Sequence, residues 1–217
     1  MGRQSTRAHT GSIGQDPRFD EEYLVSNGVI PTADIEEFFD IAKGFSYQTL
    51  PAGRKVGVVT MSGANGTLAA DAAADFGLVF PEFEKSTINF LKKLVPPDQI
   101  LRNPVDIGFG MTMGKDIRKN SMQAVLDDPA VDSLLAIDLA VSNSDYPTVR
   151  ETYAQLDTKG KPVFLVLQGG AVKEKWLGEL EGLNVPVYPT PRRALRVIQA
   201  MYQFKSQQSS FGSSGSQ

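Results

Sequence analysis

The stretch VGVVTMSGANGTLAADAAADFG, from Val56 to Gly77, constrains the fold of this chain more than any other segment. Its first six residues predict a short buried strand, Ser62–Gly66 predicts a sharp turn, and Thr67–Phe76 predicts an alanine-rich helix. Glycine tolerates positive φ, so such a turn can direct several backbone N–H groups at one point, where the helix N-terminus adds partial positive charge. The unit is therefore a candidate anion site. A strand-to-helix turn with Gly and Ser for steric reasons alone remains the alternative.

Short apolar runs then alternate with helical patterns along the rest of the chain. Strands are predicted at Leu78–Phe80, Ser133–Leu139, Val163–Leu167 and Val185–Tyr188, with helices between them. Near-continuous apolar strands in a βα alternation are typical of a parallel sheet covered on both faces. The predicted fold is therefore an α/β, flavodoxin-like doubly wound parallel sheet. Leu101–Asp106 is expected to be extended, because the residue before proline avoids the α region. Within it, Asn103-Pro104-Val105-Asp106 is expected to be structural.

In such sheets ligands bind beyond the carboxyl ends of the strands. Those ends are predicted at Thr60–Gly66, Asp106–Gly110, Ala140–Asn143 and Gln168–Gly170. They bring together glycines but only one carboxylate, that of Asp106, and no histidine or cysteine. This composition argues against a self-sufficient hydrolase and predicts no metal site.

The segment before Val56 is organised differently. Residues 1–18 have the composition of a loop and contain His9, the only histidine in the chain. A short helix over Phe19–Asn27 and a brief strand at Val29-Ile30 follow. Thr32 is expected to cap a helix with an apolar face. That face, which we expect to lie in the core, consists of Ile35, Phe38, Phe39, Ala42 and Phe45.

The composition excludes several classes of function. The 217 residues carry a formal net charge of −3, which argues against nucleic acid or an anionic membrane as the main partner. With no cysteine, there is no disulfide framework, thiol nucleophile or Cys-based metal site. No apolar run has the length of a membrane span, so a cytoplasmic location is expected.

Several motifs occur in an informative order along residues 7–205. They are Ala8-His9-Thr10-Gly11-Ser12, Gly28-Val29-Ile30, Ile35-Glu36-Glu37-Phe38-Phe39-Asp40, Val58-Val59-Thr60 with Ser62-Gly63-Ala64-Asn65-Gly66, Leu78, Asn103-Pro104-Val105-Asp106, Pro162-Val163, Gly169-Gly170 and Val185-Pro186-Val187-Tyr188-Pro189-Thr190-Pro191. In this order they resemble the NDP-forming acyl-CoA synthetases, the superfamily of ADP-forming acetate–CoA ligase and succinyl-CoA synthetase.

The resemblance implies a catalytic histidine on a mobile loop, and His9 stands at its position. In that family the histidine is phosphorylated through an acyl phosphate and passes the phosphoryl group to a nucleoside diphosphate. Two helix N-termini from different domains hold the phosphohistidine. The residues implied to bind phosphate in this chain are Ser62, Gly63, Ala64, Asn65, Gly66 and Thr67.

The resemblance also implies a domain organisation. Residues 1–46 would be the C-terminal part of a second α/β domain, a CoA-ligase domain with the phosphohistidine loop. Residues 47–54 would be a linker, 55–205 the flavodoxin-like domain and 206–217 a disordered tail. CoA and ATP or ADP with Mg would be bound mainly by a CoA-binding Rossmann domain and an ATP-grasp domain or subunit outside this chain. The substrate would be an acyl-CoA or a carboxylate. The protein would assemble as a hetero- or homo-oligomer.

Two departures from the family pattern are visible: the spacer between Gly2-Arg3 and His9 is short, and Ala8 replaces the usual serine. Two other functions stay open. The chain could be a non-catalytic acyl-CoA sensor, as in similar domains fused to acetyltransferases. It could also be an unrelated flavodoxin-like binding module, such as an FMN carrier. A receiver domain is disfavoured, because Thr60-Met61-Ser62 provides no acidic cluster after the first strand.

Overall fold

Five short strands form one parallel sheet in the computed structural model, which describes residues 17–95, 101–108, 116–141 and 146–213. The strands are β1 Val56–Thr60, β2 Val105–Asp106, β3 Ser133–Ala140, β4 Val163–Gly169 and β5 Val187–Tyr188. Their order across the sheet is β2-β1-β3-β4-β5, the flavodoxin-like order. The predicted fold class is confirmed.

Helices cover both faces of this sheet, and each face has its own apolar core. The helices are α1 Pro17–Ser26, α2 Ile35–Tyr47, α3 Gly63–Asp75, α4 Lys85–Leu94, α5 Asp116–Asp127, α6 Tyr146–Ala154, α7 Val172–Glu181 and α8 Pro191–Ser213. Helices α4 to α7 contribute to one core, which includes the fully buried Trp176. Helices α2, α3 and α8 contribute to the other. Every residue of β1 is buried, which is why its sequence is a continuous apolar run.

The predicted strand at Leu78–Phe80 is wrong, because other groups occupy the edge of β1 that it would pair with. Val79 forms only an isolated bridge with Lys55, before β1 begins. Farther along, the side-chain carbonyl of Asn103 accepts a hydrogen bond from the Val58 N–H at 3.0 Å. The ladder then continues with β2, which forms the edge of the sheet beside β1.

Helix α2 forms in the predicted region, but with a different cap and a different orientation. Its cap is Asp34, whose Oδ1 accepts from the Glu37 N–H at 2.8 Å, rather than Thr32. Phe38 is 51% exposed and Phe39 64% exposed, so the expectation that they lie in the core is wrong. The α2 residues buried against α8 and the sheet are Asp40, Ile41 and Gly44. Phe45, at the end of the helix, packs partly into the core.

Ion pairs fix this orientation of α2. Arg193 of α8 pairs with the buried Asp40 and with Glu36, the latter at 2.9 Å. Arg196 pairs with Glu37 at 2.7 Å. Glu36 and Asp40 each lie two residues from Phe38 and therefore on the other side of the helix, so pairing them with α8 turns Phe38 outward.

The segment predicted to be a linker, residues 47–54, lies against the start of β4. The Gln48 side chain accepts from the Val163 N–H at 2.7 Å and donates to the Asn184 carbonyl. Thr49 donates to the Gly160 carbonyl at 2.9 Å. The division of the chain at residues 46 and 55 stays a prediction. Helix α8 continues to Ser213, beyond residue 206, where the sequence predicts a disordered tail.

Close packing of α2 on α8 requires a glycine. A Cβ at Gly44 would lie 2.3 Å from Val197 Cγ1, whereas a Cβ at Gly178 on α7 would meet nothing within 4 Å. We expect Gly44→Ala to lower the free energy of unfolding by about 1–3 kcal/mol through overpacking. Gly178→Ala should raise it by about 0.5–1 kcal/mol, because alanine is the better helix former. Urea unfolding of the two variants measures both; equal effects would contradict the packing described here.

Candidate functional site

The candidate site begins where β1 passes into α3. Ser62 is the N-cap of α3, and its hydroxyl accepts from the Asn65 N–H at 3.4 Å. Thr60 Oγ1 accepts from the Ser62 N–H at 3.0 Å and donates to the Ser62 carbonyl at 2.9 Å, which tightens the turn. The helix therefore begins at Gly63, and the prediction of a turn over Ser62–Gly66 with a helix from Thr67 is wrong.

The glycines of this segment allow close approach rather than a turn. A Cβ at Gly66 would lie 3.4 Å from the side chains of Pro104 and Thr60. A Cβ at Gly63 would lie 2.9 Å from Asp106 Oδ2. Both glycines are inside the helix. Their missing side chains let the first turn of α3 pack directly over the end of β2.

The first turn of α3 offers backbone donors. An α-helix leaves its first N–H groups without an intrahelical acceptor. Ser62 satisfies one of these groups, that of Asn65; within the residues that the structure describes, Gly63 and Ala64 donate to no other group. Both residues are exposed. Two amides and the positive end of the helix dipole thus face solvent at the carboxyl edge of the sheet.

A side-chain pair links this turn to β4. Asn65, which is 8% exposed, donates through Nδ2 to Gln168 Oε1 at 2.8 Å. Gln168 is followed by Gly169, whose φ is +150°. A Cβ at Gly169 would lie 2.5 Å from the Ala140 carbonyl oxygen, so only glycine fits there. The pair fixes the α3 N-terminus relative to the ends of β3 and β4.

Asp106, the one carboxylate at the predicted strand ends, lies beside the N-terminus of α3. Its Oδ1 accepts from the Gly108 N–H at 2.9 Å. Its Oδ2 lies beside Gly63. The hydrogen bond from Gly108 holds the carboxylate in place at the side of the α3 N-terminus.

A buried charged cluster supports the same edge from the other face. Asp138 of β3 accepts from Arg118 Nε at 3.1 Å and from the Tyr153 hydroxyl at 2.8 Å. Burial, and then the negative charge of Asp138, raise the pKa of Tyr153, so the phenol stays protonated as a donor. Arg118 also contacts the sulfur of Met61, the residue between β1 and the α3 cap, at 3.0 Å. The cluster thereby supports the β1–α3 connection.

The sequence-predicted site residues divide into two groups. Residues Ser62 to Gly66 lie together at the α3 N-terminus, whereas Thr67 lies in the second turn and its hydroxyl donates to the Gly63 carbonyl at 3.1 Å. His9 lies outside the described residues. Sequence reasoning did not identify Gln168 as a neighbour of Asn65. The one sequence signal for this contact was that Gln168 stands at the predicted carboxyl end of β4.

The described residues do not fit CoA, a nucleotide or Mg. The cleft of about 290 Å³ between α2 and α8 contains three arginines and four carboxylates, namely Arg192, Arg193, Arg196, Asp34, Glu36, Glu37 and Asp40. Each of these arginines is already paired with a carboxylate, so none is left to bind a phosphate chain. Among the described residues there is also no group of three or more Asp, Glu or His side chains that could hold a metal ion.

No family model matches the chain. Comparison with individual proteins finds several ADP-forming acetate–CoA ligases. The alpha subunit of ADP-forming acetate–CoA ligase II from Pyrococcus furiosus is 29% identical over 93% of this chain. ADP-forming acetate–CoA ligase II from Archaeoglobus fulgidus is 30% identical over 91% of it. The acetyl-coenzyme A synthetase 1 of Candidatus Korarchaeum cryptofilum, solved with phosphate and ADP, superposes with a TM-score of 0.85 over 98% of the chain at 27% identity.

The chain is therefore similar to ADP-forming acyl-CoA ligases over nearly its whole length. The resemblance identified from the motifs is confirmed. The chain spans 45% of the P. furiosus subunit, 30% of the A. fulgidus protein and 46% of the Korarchaeum chain. It thus matches one part of each of these longer proteins. No helix within its described residues is long and apolar enough to cross a membrane.

Capping by Ser62 makes a testable contribution to stability. We expect Ser62→Ala to lower the free energy of unfolding by about 0.5–1 kcal/mol, because the Asn65 N–H loses its acceptor, and Ser62→Gly to cost only a few tenths. Ser46→Ala is the matched control, since the Ser46 hydroxyl donates to the Ala42 carbonyl on an exposed helix surface. Chemical unfolding measures all three. A loss from Ser46→Ala as large as that from Ser62→Ala would contradict the assignment of the cap.

Proposed function

We propose that this chain is the phosphohistidine-carrying part of an NDP-forming acyl-CoA synthetase. The complete enzyme would convert acyl-CoA, phosphate and a nucleoside diphosphate reversibly to carboxylate, CoA and a nucleoside triphosphate. The observation that carries the proposal is the α3 N-terminus, with two unused amides at the carboxyl edge of the sheet, in a chain that matches the ligases over nearly its whole length.

His9 would carry the phosphoryl group. A neutral imidazole nitrogen is nucleophilic near neutral pH. In the forward step that nitrogen attacks the phosphorus of an acyl phosphate, the P–O bond to the acyl group breaks, and the carboxylate leaves. In the second step an oxygen of the nucleoside diphosphate attacks the same phosphorus and the N–P bond breaks. The imidazole is then regenerated.

The α3 N-terminus would hold the phosphoryl group between these steps. A phosphoryl oxygen that accepts from the Gly63 and Ala64 N–H groups would form two hydrogen bonds to a charged acceptor. Each is worth about 1.5–3 kcal/mol. The helix dipole adds about 0.3–1 kcal/mol at an exposed site. The tie from Asn65 to Gln168 keeps these amides in position before the phosphate arrives.

The other parts of the reaction belong to partners. CoA, the nucleotide and Mg would be bound by a CoA-binding Rossmann domain and an ATP-grasp domain, since the described residues do not fit them. We propose a cytoplasmic enzyme with an acyl-CoA substrate, assembled as an oligomer. The relatives named as alpha subunits support an assembly with further domains or subunits.

Phosphorylation of His9 tests the proposed function. Incubation of the full chain with acetyl phosphate, or with phosphoramidate as a small phosphoryl donor, should give a phosphoryl adduct that is labile to acid and stable to base. The variant His9→Ala should lose the adduct completely, because no other histidine exists in the chain. Mass spectrometry and phosphate release measure it. An unmodified wild-type chain with both donors would contradict a phosphoryl carrier and favour a non-catalytic sensor.

Removal of one amide tests the anion site. Gly63→Pro deletes the N–H of the first helical residue, where proline is tolerated, and the extended Ser62 (φ −148°, ψ 111°) suits the position before it. Gly63→Ala is the matched control, because it places the same Cβ 2.9 Å from Asp106 Oδ2 but keeps the N–H. We expect Gly63→Pro to bind inorganic phosphate about tenfold more weakly than Gly63→Ala, the loss of one hydrogen bond to a charged group. Calorimetry measures the two affinities; equal values would contradict the assignment.

A further inference from the structure

One charged side chain interrupts an otherwise apolar face of β3. Alternate residues of this strand point into the core that α4 to α7 cover, namely Leu134, Ala136 and Ala140. Asp138 has the same alternation and lies among them, with its side chain only 1% exposed. Moving a carboxylate from water to such a place has a large free-energy cost. Its presence in an apolar strand therefore needs a physical reason.

Two side chains from two different helices meet Asp138. Arg118, in the first turn of α5, donates through Nε to Oδ1 at 3.1 Å and is itself 14% exposed. Tyr153, in the last turn of α6, donates its hydroxyl to Oδ2 at 2.8 Å. Replacing a buried ion pair by apolar residues of similar volume is often neutral or stabilising for a protein. Folding stability alone therefore does not account for these three residues.

The cluster holds the end of β1. Arg118 Nη2 contacts the sulfur of Met61 at 3.0 Å. The backbone N–H of Met61 donates to the carbonyl of Ile137, the residue before Asp138, at 3.1 Å. Strand β3 thus holds Met61 in two ways, directly at its backbone and, through Asp138 and Arg118, at its side chain.

Met61 controls the direction in which α3 leaves the sheet. Only Ser62, the N-cap, separates it from Gly63, the first residue of the helix. The direction of the Gly63 and Ala64 N–H groups therefore follows from the position of Met61. Placement of this kind has large effects, because a shift of about 1 Å at a functional group can cost about a hundredfold in rate.

We propose that Arg118 and Asp138 are positioning residues for the phosphate site, and that they act through Met61 on the first amides of α3. The inference rests on the proposed function of the α3 N-terminus. Tyr153 contributes by holding the second carboxylate oxygen, so that Asp138 keeps one orientation toward Arg118. In this account the three side chains set the geometry of the site before the phosphate arrives, and the backbone amides bind it.

The planar guanidinium of Arg118 is what allows one side chain to make both contacts. Its Nε and Nη2 atoms reach different neighbours, the Asp138 carboxylate and the Met61 sulfur. A lysine ammonium is a single point charge on a flexible chain and cannot hold two neighbours in one fixed geometry. The inference therefore concerns placement of the amides rather than added positive charge at the site.

The test replaces the cluster by apolar residues. The apolar variant carries Arg118→Met, Asp138→Leu and Tyr153→Phe together, so that neither charge of the pair nor the tyrosine hydroxyl is left buried without the other. A second variant, Arg118→Lys, keeps the positive charge. Each protein is the full chain, studied by urea unfolding, by ¹H–¹⁵N spectra without ligand, and by calorimetry with inorganic phosphate.

The matched control removes another ion pair with a buried carboxylate. Arg193→Met with Asp40→Leu breaks the pair between α8 and α2, whose carboxylate side chain is 8% exposed. The cleft around this pair includes Phe76, which follows α3, so the pair lies at the opposite end of that helix from the amides. We expect the control to leave the phosphate affinity and the Gly63 and Ala64 signals unchanged.

We expect the apolar variant to unfold at the same urea concentration as the wild-type chain or at a higher one. Its Gly63 and Ala64 amide signals should shift or broaden, whereas that of Gly77, beyond the far end of α3, should stay in place. Its affinity for inorganic phosphate should fall about tenfold, within what a misplacement of about 1 Å can cost. Arg118→Lys should show the same changes in the amides and in the affinity.

Three results overturn the inference. An apolar variant that unfolds at lower urea than the wild-type chain, or does not fold, shows that the cluster serves the fold itself. Unmoved Gly63 and Ala64 signals in a folded variant show that nothing is positioned through Met61. An Arg118→Lys variant that binds phosphate like the wild-type chain assigns the effect to charge. If the wild-type chain binds no phosphate, the proposed function fails instead, and the amide signals, which need no ligand, decide the positioning role separately.

Discussion

The short step from β1 to α3 determines where the functional groups of this chain lie. Only Met61 and Ser62 separate the strand from the helix, so α3 must begin at the carboxyl edge of the sheet. The turn is possible because Thr60 Oγ1 bonds both the amide and the carbonyl of Ser62. It also needs Gly63 and Gly66, since a side chain at either would press on β2 or the residues before it. The Thr60 hydrogen bonds and the two glycines together leave the first backbone amides of α3 open to an anion.

The fold class was predictable from the sequence because buried parallel strands need unbroken apolar runs, and β1, β3 and β4 all have them. The extended stretch that contains β2 was also predictable, but the apolar triplet at Leu78–Phe80 was wrongly predicted to be a strand, because it has the same local pattern as one. Its pairing edge is decided by Asn103, which is distant in sequence and fills the ladder through its side chain. Long-range competition of this kind leaves no local signal.

The position of the candidate site was predictable from the sequence, but the start of its helix was not. Ser and Gly after an apolar strand indicate an anion-binding turn, and those residues do lie at the carboxyl edge. The start of the helix was predicted wrongly because a glycine can be needed either for a positive φ or for close packing. Only the positions of Asp106 and Pro104 show that close packing is the reason here.

Helix α2 illustrates the same limit. Its apolar periodicity is genuine, but a periodicity cannot say which sheet it faces, and the buried Asp40 decides the orientation through Arg193.

The central claim is that the amides at the start of α3 receive the phosphoryl group carried by His9. The most direct measurement is the ¹H–¹⁵N spectrum of the full chain before and after phosphorylation with phosphoramidate, with His9→Ala treated in parallel. The account predicts that the largest shifts fall on Gly63 and Ala64, that Thr67 and Gly77 move little, and that the variant shows no change. An adduct on His9 that leaves the Gly63 and Ala64 amides unmoved would contradict it.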